Sequence, residues 1–169
     1  MYDWKLVDPF LNSWVLMGQA FDAANRATEA ELGRYGMTLA QFHILILLDC
    51  SKGPMTPGDM ATYVFREKHS ISALLTRMQK TGHVRKARSK KDQRVIKVSI
   101  TAKGKDLLEK VKPIGLGYAR AQFASCFSEQ ELKGFDLYLR KLRDSAVKSL
   151  GKKMEPLPRG VLDTPALAT

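Results

Sequence analysis

The spacing of apolar residues predicts a mainly helical chain with one pair of strands in its middle. Apolar side chains recur at steps of four and three over residues 10–24 and at near-heptad spacing over 132–150, as they do on helices that pack against other helices. Over residues 95–100 the period falls to two, which is typical of a strand with one buried face. Residues 83–88 form its predicted partner, so the pattern indicates an antiparallel hairpin.

Capping residues place the ends of six predicted helices. Asp8 followed by Pro9 favours a helix start, and Gly33 or Gly36 is expected to end that first helix. The later starts with a Ser or Thr cap are Thr38 with Gln41, Thr56 with Pro57, Thr101 before Ala102, and Ser128 with Glu131. Pro113 predicts a kink in the fifth helix.

The fourth predicted helix, from residue 67 or 68 to 81, has two contrasting faces. Its buried stripe consists of Ile71, Leu74, Leu75 and Met78, and Gly82 follows in the left-handed position that often ends a helix. The outer face and its flanks carry small, hydrogen-bonding and basic side chains: His69, Ser70, Ser72, Ala73, Thr76 and Arg77. An ordinary solvated face is the alternative, but such faces usually mix Glu with Lys, and residues 69–82 contain no acid. Small residues allow a helix to lie deep in the DNA major groove, so we predict a recognition helix.

The positive charge is concentrated in one segment. The formal net charge is +11, and residues 66–112 contain 15 Lys and Arg against 4 Asp and Glu. With a pI of about 9.8, this distribution favours a polyanionic partner bound at that segment.

The hairpin carries much of this charge. Its cations are Arg85, Lys86, Arg88, Lys90, Lys91, Arg94 and Lys97, against the single acid Asp92. The alternative is that these charges only keep the edge of the sheet from pairing with another strand. However, so many cations repel one another unless an anion offsets them. Asp92 is expected to orient the guanidinium of Arg94 through a charge-assisted pair, and an oriented Arg suits a narrow minor groove. The alternative for Asp92 and Arg94 is a surface ion pair that has no functional role.

Dimerisation is expected from the two terminal apolar seams. Residues 10–24 and 132–150 are too apolar to stay exposed, and they lie outside the basic segment. Packing within one subunit accounts for part of each seam, but two such seams on a small domain favour a helical interface between two copies.

Other classes of protein find little support in the chain. The sequence has no long uncharged apolar run and an acidic rather than basic N-terminus, which argues against a membrane span and a signal peptide and favours the cytoplasm. His43, His69 and His83 are scattered, and no nucleotide-binding or hydrolase motif occurs, so neither a metal, a cofactor nor catalysis is expected. Cys50 and Cys126 are predicted to be buried thiols.

These residues resemble the MarR family of bacterial winged-helix regulators. The resemblance lies in the helix order, in SISALLTRMQKTGHVRK (70–86), in DQR (92–94) and in VSITAKG (98–104). It implies a homodimer formed by the first, fifth and sixth helices and bound to a palindromic site. It also implies that Ser70, Ser72 and Ala73 face base edges and that Arg77 lies near phosphate or base. Arg94 would enter the minor groove with Asp92 holding it. Gln93 replaces the Arg or Lys often found there, which should weaken one phosphate contact.

The resemblance further implies a small, often aromatic or anionic, effector bound between the dimerisation helices and the DNA-binding lobe. The side chains that could line such a cavity are Phe10, Trp14, Met17, Phe42 and His43. Core packing is the alternative for most of them, and His43 stands out because a polar group on an apolar helix needs a partner.

The resulting expectation is a mainly α fold with a small antiparallel β-hairpin wing, six helices, and a dimer through its N- and C-terminal helices. The expected divisions are a dimerisation helix (1–37), a winged helix-turn-helix lobe (38–101), two dimerisation helices (102–150) and an irregular tail (151–169). The expected function is a double-stranded DNA-binding transcriptional regulator, a repressor relieved by a ligand. Two rivals stay open: a winged-helix adaptor that binds an acidic protein, and an enzyme acting on nucleic acid, which the lack of an acid cluster in the basic segment disfavours.

Overall fold

The computed structural model describes residues 4–51 and 53–151. In chain order these residues form α1 (Pro9–Gly33), α2 (Leu39–Cys50), α3 (Pro57–Tyr63), α4 (Lys68–Lys80), β1 (Val84–Arg88), β2 (Ile96–Ile100), α5 (Ala102–Cys126) and α6 (Glu129–Ser149). The predicted fold class, mainly helical with one antiparallel hairpin, is confirmed. The predicted tail lies outside the described residues, apart from Gly151.

The predicted caps hold the helix starts. Asp8 Oδ1 accepts hydrogen bonds from the backbone N–H groups of Phe10 and Leu11 at 2.8 and 2.9 Å. Reciprocal capping boxes form at Thr38, Thr56 and Ser128. Because each cap satisfies N–H groups that the helix itself cannot pair, short polar motifs fix where these helices begin.

The core lies in the middle of the chain, between α2, α4, the hairpin and the first half of α5. The four apolar side chains of the predicted α4 stripe are all buried, with Leu75 and Met78 completely so. Val98 of β2 and Leu108 and Val111 of α5 are also fully buried in the same cluster. The hairpin and the start of α5 are therefore anchored to the helix-turn-helix through one continuous core.

The hairpin differs in one respect from its predicted alternation. Val84 pairs with Ile100 at the base, and Arg88 pairs with Ile96 near the tip. Met55 extends the sheet by exchanging two backbone hydrogen bonds with Val98. The period of two over residues 95–100 places Ile96 on the same face as the buried Val98, but Ile96 is 47% exposed, because the tip projects beyond the core that covers the base.

The long α5 helix continues through Pro113 to residue 126 and packs against α1 and α2. Gly115 permits the closest part of this packing, since a Cβ added there would lie 2.6 Å from Cζ of Phe42. Phe42 is buried against this glycine. The absence of a side chain at Gly115 thus lets α2 approach α5.

The prediction that Cys126 is buried was wrong. Cys50 is buried as expected, but Cys126 is exposed. Near the turn between α5 and α6, Phe123, Phe127 and Phe135 pack on one another, and the rings of Phe127 and Phe135 stack with centroids 5.1 Å apart. Cys126 is the last residue of α5, and its side chain stays exposed beside this cluster.

The outer helices keep long apolar faces exposed. Phe10, Trp14 and Phe21 on α1 are 84%, 63% and 66% exposed. Among the described residues α1 buries one side chain, Leu32, and α6 buries one, Val147. None of the described helices combines the length and the apolar character that crossing a membrane requires.

Candidate nucleic-acid interface

The outer face of α4 is exposed. The predicted reading residues on this helix are all exposed: His69, Ser70, Ser72, Ala73, Thr76 and Arg77. The buried stripe on the opposite side fixes the rotation of α4, so this polar face must point away from the core. From residue 68 to residue 91 the sequence has no Asp or Glu, and the face therefore carries only neutral and positive groups.

One hydroxyl on this face already has two partners. Thr76 Oγ1 donates to the backbone carbonyl of Ser72 at 2.9 Å and accepts a hydrogen bond from Nζ of Lys86 at 2.8 Å. Because Lys86 belongs to β1, this contact joins the hairpin to the edge of the reading face. The helix surface and the wing are thus presented side by side.

The wing is closed by main-chain contacts at its tip. The N–H of Ser89 donates to the carbonyl of Val95 at 2.8 Å, and the N–H of Val95 donates to the carbonyl of Asp92 at 3.0 Å. Nη1 of Arg88 donates to the carbonyl of Gln93 at 3.3 Å. These bonds give the tip a defined shape and tie Arg88, a predicted DNA contact, to the loop itself.

Asp92 does not make the contact expected of it. Its Oδ1 accepts from the backbone N–H of Arg94 at 2.9 Å, whereas a pair with the Arg94 guanidinium was predicted. An aspartate readily accepts a hydrogen bond from the N–H two residues further on, which closes an Asx turn. In this short loop Asp92 forms that turn and does not pair with the guanidinium. Asp92 therefore shapes the tip.

The cations at the tip stay accessible. Lys90, Lys91 and Arg94 are exposed, and within the residues that the structure covers the Arg94 guanidinium forms no ion pair. An exposed guanidinium on a defined loop is available to an anionic partner.

A joint at the base of the wing fixes its angle to α4 and α5. Thr101 Oγ1 lies 2.6 Å from the carbonyl of Gly82 and 3.1 Å from that of His83, and it also caps α5 through the N–H of Gly104. Gly82 itself has φ of +77°, a conformation that favours glycine. The end of α4, the hairpin and the start of α5 thus meet at one hydroxyl.

His83 contributes a second contact near this joint. Its Nδ1 lies 3.0 Å from Thr81 Oγ1. Partial burial, and then the nearby charge of Lys103, lower the pKa of His83. The neutral ring is therefore favoured at this joint in the folded protein.

The five predicted effector-binding residues do not meet in one cavity of a single chain. Phe10, Trp14 and His43 are exposed, Met17 is half-buried, and Phe42 packs in the core. Surrounding protein atoms, and then Arg66, lower the pKa of His43, although part of the ring meets solvent. Because His43 is exposed, water can satisfy its polar atoms, and the expected internal partner is not required.

A cavity of about 260 Å³ lies elsewhere, where the end of α2 meets the base of the wing and the start of α5. It is lined by Leu48, Asp49, Gly53, Pro54, Ser99, Ile100 and Lys105. Beside it, Nζ of Lys112 pairs with Oδ2 of Asp49 at 3.3 Å. Sequence reasoning missed this cavity because its walls come from three distant segments with no shared motif.

Among the residues described by the structure, no group of three or more His, Cys, Asp and Glu side chains could hold a metal ion. The site is therefore built from cations, hydroxyls and a helix surface.

Comparisons with known proteins agree with this architecture. Residues 35–95 match the model of the MarR family. An HTH-type transcriptional regulator of Bacillus anthracis is 27% identical over 141 residues, which cover 83% of this chain and 93% of the relative. The ligand-free organohalide-sensing regulator RdhR-CbdbA1625 has a TM-score of 0.80 at 24% identity, over 92% of this chain and 94% of its own. A mutant of MarR from E. coli, complexed with operator DNA, has a TM-score of 0.73 at 18% identity, over 82% and 99% of the two chains.

The family match spans α3, α4, β1 and the loop at the wing tip, and it ends just before β2. The relatives are named as transcriptional regulators and not as enzymes. In helix order, in the wing and in these matches, this chain is similar to the MarR family of winged helix-turn-helix transcriptional regulators.

Proposed function

We propose that this chain is a cytoplasmic transcriptional regulator that binds a palindromic double-stranded DNA operator as a homodimer. The observation that carries this proposal is the exposed polar face of α4 beside a wing whose Arg94 guanidinium has no ion-pair partner among the described residues. A duplex presents a major groove for the helix and an adjacent minor groove for the wing. A neighbour of the same fold, MarR from E. coli, is complexed with operator DNA, which supports duplex DNA as the partner.

In this proposal different side chains supply affinity and specificity. His69, Arg77, Arg88, Lys90 and Lys91 contact phosphates and set the register of the protein on the duplex, while Arg94 enters the minor groove. The base-reading group on α4 consists of Ser70, Ser72 and Ala73, and Thr76 lies on the same exposed face. Their small size lets the helix backbone approach the base edges closely.

Two copies are needed to cover the outer helices. Apolar side chains lie exposed on α1, on α6 at Tyr138 and Leu142, and at Leu150 just after α6. They form surfaces of the kind that interfaces bury. We assign residues 1–37 and 102–150 to dimerisation and residues 38–101 to DNA binding. A two-fold dimer then sets its two α4 helices about 34 Å apart, one turn of DNA.

Repression relieved by a small ligand completes the proposal. Phe10, Trp14, Met17 and His43 lie on or near the face that a second copy covers, so the effector cavity would form at the dimer interface, with Phe42 behind it. An aromatic or anionic ligand there lowers DNA affinity only if it binds the DNA-incompetent spacing of the two α4 helices more tightly. The organohalide-sensing neighbour is a regulator of this fold that responds to a small molecule.

A binding titration tests the proposal against the adaptor alternative. Fluorescence anisotropy of the purified protein is measured with a labelled random-sequence duplex and with labelled poly-glutamate from 50 to 300 mM salt. We expect the duplex to bind with a steep negative dependence of log affinity on log salt concentration, and poly-glutamate to bind far more weakly. Equal or tighter binding of poly-glutamate would support an acidic protein partner and overturn the proposal.

A further inference from the structure

The contact between Lys86 and Thr76 distinguishes one wing cation from its neighbours. Lys86 lies on β1 opposite the fully buried Val98, and its Nζ donates to Thr76 Oγ1 on α4 at 2.8 Å. Arg85 and Arg88 on the same strand are exposed, whereas Lys86 is half-buried. The structure therefore holds this ammonium in place between the reading helix and the hairpin.

The charge of Lys86 remains uncompensated in this position. Its partner is a neutral hydroxyl, and within the described residues the ammonium has no other hydrogen-bond or ion-pair partner. An ammonium has three N–H donors, so two remain for a further acceptor. The hydroxyl of Thr76, by contrast, uses its single hydrogen on the carbonyl of Ser72.

The position between helix and wing indicates what the acceptor is. When a helix occupies the major groove and the wing occupies the adjacent minor groove, the sugar–phosphate strand that separates the two grooves runs between them. Lys86 lies in that gap. A phosphate oxygen accepts strongly from an ammonium, and a side chain that is already ordered loses less entropy on binding.

We propose that Lys86 is a phosphate clamp and that Thr76 is its positioning residue rather than a base-reading one. This inference rests on the proposed DNA-binding function and gives Thr76 a role that requires no contact with a base. It assigns a contact that raises affinity equally for all sequences, because a phosphate carries no base identity.

The test uses the full-length protein and a duplex that the wild-type chain selects from random-sequence DNA. Affinity is measured against salt for Lys86→Met, Thr76→Val, the double variant and Arg85→Met. Arg85→Met is the matched control, because it removes a cation from the same strand on the other face of the hairpin. We expect Lys86→Met to weaken binding about tenfold and to reduce the log–log salt slope by about two for a dimer, one per subunit. The preference for the selected duplex over random duplex should not change.

Coupling between the two residues separates positioning from base reading. Thr76→Val should weaken binding less than Lys86→Met and should add little to it in the double variant. Lys86→Arg, which keeps the charge, should retain the wild-type slope and guards against a folding defect in the Met variant. Additive effects of Lys86→Met and Thr76→Val, or an equal loss of slope in Arg85→Met, would overturn the inference.

The outcome also separates this inference from the proposed function. If the wild type binds duplex with a steep salt dependence and Lys86→Met has the same affinity and salt slope, the phosphate contact of Lys86 is wrong, whereas the proposed DNA binding is retained. If the wild type binds no duplex even at 50 mM salt, both are wrong.

Discussion

Two regions of the molecule differ in how they bury apolar side chains that recur at helical spacing. One is the lobe from α2 to the first half of α5, and the other consists of the outer helices α1 and α6. In the lobe, apolar positions from α2, α4, β2 and α5 meet one another and become fully buried. In the outer helices, apolar positions at the same spacing stay exposed, as with Phe10 at 84% and Leu142 at 41%. Helical spacing therefore predicts which side of a helix is apolar, but not whether its own chain covers that side.

The same two regions also differ in charge. The segment 66–112 carries most of the Lys and Arg excess, whereas α1 presents exposed aromatic rings. A cationic surface repels its own copy and attracts a polyanion, while an apolar surface favours a second copy. The two regions are thus suited to two different partners, and the variants below test that division.

The largest effect is expected from charges placed on the α1 seam. Phe10→Glu with Trp14→Glu puts four carboxylates into the proposed interface of a dimer, and an unpaired buried charge costs several kcal/mol. We expect the dimer dissociation constant to rise about 1000-fold or more. Sedimentation equilibrium measures it, and Ala23→Glu, on the opposite side of α1, is the control. A double variant that stays dimeric at micromolar concentration would show that this seam is not the interface.

The next effect compares a lobe residue with an outer-helix residue in folding stability. Leu75 is completely buried and Leu142 is 41% exposed. Leu75→Ala should lower the free energy of unfolding by about 2–5 kcal/mol. In the monomeric Phe10→Glu/Trp14→Glu background, Leu142→Ala should lower it by less than about 1 kcal/mol. Urea denaturation measures both, and equal losses would contradict the division between lobe and outer helices.

Removal of the exposed wing guanidinium should weaken DNA binding without affecting the fold. Arg94→Ala is expected to lower operator affinity about 10- to 100-fold, while the melting temperature stays near that of the wild type because the side chain is exposed. Anisotropy at physiological salt measures the affinity. Unchanged affinity would refute the assignment of the wing to the minor groove.

Two substitutions of Asp92 test whether its side chain acts as the hydrogen-bond acceptor that closes the turn. Since Asp92 accepts from the backbone N–H of Arg94, Asp92→Asn keeps an acceptor oxygen and should change affinity about threefold or less. Asp92→Ala loses the acceptor and should cost about 1 kcal/mol, or roughly fivefold, through a less ordered tip. If Asn and Ala lower affinity equally, the negative charge matters more than the turn.

The smallest effect concerns the pH dependence of stability. Burial lowers the pKa of His43 and of His83, with Arg66 and Lys103 as second causes. The folded protein therefore binds fewer protons at these rings than the unfolded chain does, and stability falls as pH drops below about 6.5. Replacing both residues by Gln should flatten the dependence between pH 7.5 and 5.5. A double variant with the wild-type slope would show that these rings do not contribute.

Local signals in the sequence predicted the fold well. The capping boxes at Thr38 and Ser128 and the buried stripe of α4 depend on residues within about two helical turns of one another, so a single sequence reveals them. The same holds for the exposed face of α4, because burial of one stripe determines the rotation of the whole helix.

Features that depend on competing partners were not predictable. Asp92 had both a guanidinium and a backbone N–H within two residues, and loop geometry decided between them. Ile96 and Cys126 follow apolar patterns, but each lies where the core ends. The contact of Lys86 with Thr76 depends on how the hairpin packs against α4, and spacing along the chain does not reveal that distance.

Chemical protection of DNA tests most directly whether α4 and the wing contact one duplex together. Dimethyl sulfate methylates guanine N7 in the major groove and adenine N3 in the minor groove. On the selected operator we expect the wild-type protein to protect guanines in two major-groove segments about 34 Å apart, with protected adenines in the adjoining minor grooves. Arg94→Ala should lose the adenine protection and keep the guanine protection. Protection confined to one groove, or none at saturating protein, would contradict the account.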